Sequence, residues 1–175
     1  MNIRQYPDPI LNRISKPLKK VDYELISIIK AARELMFEKE GIGLSANQIG
    51  QPYQWFVTSF EELPFIINPI VYKYGPKKST IEGCLSLPNI HIKVERPSKI
   101  KLTGYDLKGE SISLQTDGLL ACIIQHEYDH LNGKLIINNS QLSEQDFTSL
   151  ASMHNSFEKN YNFDSEIKEL EELRC

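Results

Sequence analysis

Two histidines, His126 and His130, stand four residues apart in the run His126-Glu127-Tyr128-Asp129-His130. On a helix, side chains at that spacing share a face, so both imidazoles can reach one ion. Glu127 projects beside them, where its carboxylate can exchange a proton with an activated water. The bland alternative is a surface helix with two solvated histidines. Against it stands the preceding run Leu119-Leu120-Ala121-Cys122-Ile123-Ile124, which should bury the start of this helix. The chemistry that fits is metal-dependent hydrolysis of an amide bond, provided a third ligand exists.

Several residues compete for that place. Cys122 lies four residues before His126, but eight residues separate it from His130, which is roughly 12 Å of helical rise. Metal–ligand bonds are only about 2.0–2.3 Å long, so these three side chains cannot easily share an ion. Cys122 reads better as small apolar lining near the site. The histidine that many zinc peptidases carry six residues after this motif would fall at position 136, which is isoleucine. Glu144 and Glu158 are available acids without a recognisable motif. Cys84, in Glu82-Gly83-Cys84-Leu85-Ser86, lies between two strand-like stretches. Taken alone, it reads as a buried structural cysteine or as the missing ligand.

The elements that must position these groups follow from periodicity. Leu25, Ile28, Ile29, Ala32, Leu35 and Met36 recur at helical spacing, with Asp22 as the N-cap and an end expected near Gly41. Residues 53–59 and 63–72 are rich in aromatic and β-branched types and read as strands, punctuated by Pro64 and Pro69. The segments 99–106 and 110–116 alternate well, with Leu107-Lys108-Gly109 as a hairpin turn. A second helix should begin after Asp117, carry the paired histidines and stop at Gly133; a third should begin near residue 143. The N-terminal stretch with Pro7, Pro9 and Pro17 reads as an extended arm. The expected fold is α+β, with a central metal-binding helix surrounded by largely antiparallel β-sheets, an N-terminal helix and a C-terminal helix. All 175 residues fit one catalytic domain, of which 143–175 form a helical tail.

Composition excludes several classes. The formal net charge of −3 argues against nucleic acid as a direct partner. No apolar run is long enough to span a membrane, and MNIRQYPDPIL lacks the apolar core of a secretory signal. Three cysteines make an odd, sparse set, which suits a reducing cytoplasmic setting better than a disulfide framework. Gly41 and Gly43 could suggest a nucleotide loop, but they follow a helix and lack a third glycine.

In three segments the sequence resembles the peptide deformylase family. That family carries a G-Φ-G-Φ-A-A-x-Q loop (Φ apolar), an E-G-C-L-S segment and a Q-H-E-x-D-H-L helix. The chain has GIGLSANQ at 41–48, EGCLS at 82–86 and QHEYDHL at 125–131, and the likeness runs from YPDPIL through Gly133. The resemblance implies Cys84, His126 and His130 as ligands of Fe2+, with Ni2+ or Zn2+ as substitutes in purified protein. It implies N-formylmethionyl nascent peptides as substrate, with formate released. It also implies Glu127 as the proton carrier, with the Gln48 amide and the Leu85 backbone N–H as donors to the charged oxygen. A peptide would lie against Gly43 much like an added strand. Ile42, Leu119, Cys122 and Ile123 are the expected walls of the methionine pocket; ordinary core positions are the alternative for each. A hydrolase for another N-acyl or peptide bond, or a non-catalytic peptide-binding homologue, are the competing readings.

Two residues depart from the family pattern. Ser45 stands at the first alanine of the loop motif, and its hydroxyl needs a partner if buried. His91 stands where many bacterial members have an arginine near the peptide backbone; Arg96 is a candidate to take over part of that role. Some bacterial relatives dock on the ribosome through a basic C-terminal helix. Here, residues 141–175 hold eight acids and three bases, so transient ribosome proximity is expected through some other surface.

Overall fold

Asp22 opens the first helix as its spacing predicts: Oδ1 accepts from the Leu25 N–H at 3.0 Å. In this computed structural model, which describes residues 1–139 and 142–160, α1 runs Tyr23–Glu38 and buries Leu25, Ile29, Ala32 and Met36. It ends before Gly41, whose N–H returns to the Met36 carbonyl at 2.8 Å. The architecture is α+β. Five strands follow: β1 Gly43–Ser45, β2 Trp55–Thr58, β3 Phe65–Cys84, β4 Leu87–Tyr105 and β5 Ser111–Asp117. They form one antiparallel sheet in the order β1-β2-β3-β4-β5, rather than several sheets.

β3 and β4 are 20 and 19 residues long, well beyond the expected 63–72 and 99–106. The stretch 73–84 holds three lysines with Gly75 and Pro76, and 87–98 carries Pro88 and Pro97, all of which weaken a strand signal. The strands tolerate this punctuation through register shifts at Ile67/Ile70, Tyr74/Lys77 and Gly83/Cys84. Gly75, at φ +83°, supplies the left-handed backbone one such shift uses. Between β4 and β5, Asp106 Oδ1 accepts from the Lys108 and Glu110 N–H groups at 2.8 Å each, closing the expected turn.

α2 spans Gly118–Leu131 and α3 spans Glu144–Asn160. α2 buries Leu120, Ala121, Ile124 and Leu131 in the same core as Trp55, Phe56, Ile66 and Ile100. A second cluster joins Leu11 to Leu87, Ile90, Ile92, Leu135, Ile136 and Leu150, and so attaches α3 to the start of β4. The N-terminal arm is not wholly extended. Pro9–Asn12 form a 3-10 turn capped by Asp8, and Ile14 bridges to Asn132 just past α2. The tail beyond residue 160 lies outside the described residues. Among those described, no helix is long and apolar enough to cross a membrane.

Candidate active site

α2 passes through the core, so His130 and Glu127 are buried at 1% and 3% exposure, and the solvated-helix alternative is excluded. Cys84 closes β3 opposite them. Its Sγ lies 3.2 Å from His130 Nε2, which is 3.2 Å from His126 Nε2. All three donor atoms fall within 4.8 Å of one another, a spacing that could hold a metal ion. Cys122, on the same helix, is outside this group but lines the cleft beside it. Burial holds its thiol above the usual range, in keeping with an inert wall.

The chemistry of the donor set fits a cation. Glu82 Oε2 lies 3.0 Å from His126 Nδ1. Burial raises the Glu82 carboxyl, but Arg96 and then His126 outweigh it and bring it down to about 2. An ionised carboxylate only accepts, so His126 Nδ1 carries a proton, and Nε2 is the ring nitrogen free to offer a lone pair to an ion. Burial holds His130 well below the usual imidazole range, reinforced by the neighbouring His126. Without an ion, Cys84 and Glu82 overcome burial and hold His126 well above it. Two imidazoles and a thiol that face one another are thus satisfied together by a cation.

Behind Glu82, charges alternate in sequence. Arg96 Nη2 donates to Glu82 Oε2 at 2.8 Å, and Arg96 Nε donates to Oε1. Arg96 Nη1 donates to Asp129 Oδ2 at 2.6 Å, and Lys73 Nζ donates to Asp129 Oδ1 at 2.9 Å. Arg96 is buried, and its Nε, Nη1 and Nη2 each donate to Glu82 or Asp129, so its charge is paired within this network. Sequence reasoning missed Glu82, Arg96 and Asp129 as supports, although Glu82 and Asp129 lie inside the motifs themselves.

Glu127 is pushed up to about 7 by burial, against the opposing charge of His126. β1 explains how it fits. A Cβ on Gly43 would collide with Glu127 Oε1 and come within 2.9 Å of Cδ, so the strand approaches the carboxylate with bare backbone. Next along the chain, the Ser45 hydroxyl finds partners 2.9 Å away on Gln48 Oε1 and 3.0 Å away on Asn47 Oδ1. The Ser45 N–H also donates to Gln48 Oε1, at 2.9 Å. With its oxygen so occupied, Gln48 turns Nε2 toward Ser86 Oγ at 3.1 Å and Cys84 Sγ at 3.5 Å. Asn47 Nδ2 donates to the His130 carbonyl at 2.6 Å and ties this turn to α2.

One cleft of about 840 Å³ collects the rest. Its lining includes Ile42, Gly43, Gln48, Cys84, Leu85 and His91, together with Leu119, Cys122, Ile123, His126 and Glu127. Ile42 and Leu119 are 48% and 59% exposed at this surface, so neither is a core residue; Ile123 is buried at 5%. His91 faces across from β4, paired in register with Gly83.

Comparison with known proteins adds an independent line. The sequence model of the family described as polypeptide deformylase matches residues 1–146. Peptide deformylase 1 of Ralstonia nicotianae is 43% identical over 143 residues, covering 78% of this chain and 84% of that protein. The peptide deformylase of Brucella suis is 37% identical over 147 residues, covering 80% and 84%. The crystal structure of the Plasmodium falciparum peptide deformylase superposes with a TM-score of 0.84 at 34% identity, covering 92% of this chain and 99% of that one. The Thermotoga maritima peptide deformylase superposes with a TM-score of 0.77 at 36% identity, covering 81% and 97%.

Proposed function

The chain belongs to the polypeptide deformylase family, and from that premise we propose how its own residues carry out the reaction. It is a metal-dependent amide hydrolase that removes the N-terminal formyl group from nascent N-formylmethionyl peptides. Cys84, His126 and His130 hold the ion, which is Fe2+ in the cell and is replaceable by Ni2+ or Zn2+ in purified protein. The observation that carries this reading is the convergence of Cys84 Sγ, His126 Nε2 and His130 Nε2 beside the buried Glu127. Imidazole and thiolate suit all three metals, so sensitivity to oxygen during purification is the discriminating property.

When bound, the ion supplies Lewis acidity, acidifying water and drawing charge from a carbonyl oxygen. Glu127, held near 7, accepts a proton from the attacking water at its carboxylate and returns it to the departing amine nitrogen. Water adds to the formyl carbon, the C–N bond breaks, and formate and a free methionyl amine leave. Gln48 Nε2 and the Leu85 N–H donate to the formyl oxygen as its negative charge grows. The orientation of Gln48, fixed by Ser45, supports that role because its Nε2 already faces Cys84. The peptide pairs along β1 at Gly43, with the methionine side chain against Ile42, Leu119, Cys122 and Ile123. His91 meets the peptide from the opposite wall.

The test is a comparison of formyl-, acetyl- and unblocked Met-Ala-Ser with oxygen-free protein. Formyl hydrolysis should dominate; equal or faster release of acetate would overturn the substrate assignment.

A further inference from the structure

The N-terminal arm is hydrogen-bonded to all three segments that carry the site. The Arg4 N–H donates to the Gln48 carbonyl at 2.6 Å. The Tyr6 N–H, two residues on, donates to the Ser86 carbonyl at 3.0 Å. The Ser15 N–H donates to the Leu131 carbonyl at the end of α2, at 2.8 Å. Leu11, fully buried against Leu87 and Ile90, fixes the arm between these points. The first two bonds join turns that also meet through side chains, at Gln48 Nε2 with Ser86 Oγ and Cys84 Sγ.

We propose that the arm is a strap whose backbone sets the separation between the Gln48 turn and the Cys84-Leu85-Ser86 turn, making Arg4 and Tyr6 positioning residues for charge stabilisation on the formyl oxygen. The inference rests on the reading of Gln48 and Leu85 as the donors to that oxygen. A bond of 2.6 Å to the carbonyl of Gln48 itself restrains the backbone that carries the amide. Residues Arg4 and Tyr6 are only two apart, so the link between their two acceptors is short and stiff. The strap works through N–H groups rather than side chains. Arg4 is compatible with that, since its side chain is about half exposed and its ion pair with Asp8 is long, at 3.6 Å.

A pair of substitutions separates backbone from side chain. Arg4→Pro removes the N–H, and Arg4→Ala keeps it. With formyl-Met-Ala-Ser, Arg4→Pro should lower kcat between about tenfold and 10²-fold, with KM and bound metal unchanged, because a small misplacement of a donor acts in the transition state. Arg4→Ala should keep kcat within about twofold, the scale of an exposed-residue change. Combined with Gln48→Ala, the Arg4→Pro effect should largely vanish, since both act through one group. Wild-type kcat in a folded, metal-replete Arg4→Pro protein overturns the strap, as does an equal loss in both Arg4 variants. A Gln48→Ala protein with undiminished kcat overturns the donor reading instead. Should Arg4→Pro fail to fold, inserting one glycine between Arg4 and Gln5 keeps both N–H groups and lengthens the link; kcat should still fall, and unchanged kcat sinks the proposal.

Discussion

Glu127 stands where burial and bare backbone meet. Its carboxyl is held up near 7, and Gly43 leaves it the space that any side chain at that position would take. Two expectations follow at this scale. Glu127→Gln keeps the shape of the group but not its capacity to carry a proton. It should therefore retain metal and lose at least about 10²-fold in kcat, the usual share of a positioned acid–base group; a variant with full metal and full turnover would remove Glu127 from the reaction. Gly43→Ala should displace the carboxylate and lower kcat more than it lowers thermal stability. Steady-state rates beside a melting curve decide it, and a fall in stability with normal kcat would count against the close fit. The histidines, Glu127 and the loop glycines were legible in the sequence because their spacing is local. Glu82 as the partner of His126 was not, since 44 residues separate them and only the packing of α2 against β3 and β4 brings them together. The place of Arg96 was not legible either: nothing local in its sequence announces that it lies between Glu82 and Asp129.

At the scale of elements, α2 and the two long strands do different work. α2 was readable from its apolar run and its bounds, because a buried helix needs both. β3 and β4 were half read, since Gly75-Pro76 resembles a strand end and is in fact absorbed at a register shift. Their outer halves matter most, because they deliver Glu82, Cys84 and Arg96 to α2. Arg96 locks strand to helix through Glu82 and Asp129, with only 6% of its side chain exposed. Arg96→Leu would remove the cation that Glu82 and Asp129 share, leaving Asp129 with Lys73 and Glu82 with His126. Loss of one partner from a buried pair costs about 3–5 kcal/mol; Asp129 is partly exposed, so the lower end of that range is expected. Denaturant unfolding should show the loss together with weaker retention of metal. Unchanged stability would mean that the network is ornamental to the join.

For the molecule as a whole, the sheet and α2 present one cleft, while α3 attaches at the start of β4 through Leu150 and its neighbours. The family match ends at residue 146, near the start of α3. The acidic stretch from residue 141 onward argues that any approach to the ribosome uses another surface. Removing residues 161–175 should leave ribosome co-sedimentation and deformylation unchanged; loss of co-sedimentation would assign docking to the tail. Overall architecture was accessible from sequence because helix periodicity and strand alternation are strong here. The strands unite into one sheet because each pairs with the next in the chain, a continuity hidden from the sequence by the unread outer halves of β3 and β4.

The central claim is that Cys84, His126 and His130 hold a single ion on which deformylation depends. Protein purified without oxygen should be assayed on formyl-Met-Ala-Ser and, from the same preparation, measured for bound metals. The account predicts iron close to one per chain, activity proportional to that iron, and loss of both in Cys84→Ala. Full deformylation by metal-free protein, or an undiminished metal content in Cys84→Ala, would contradict it.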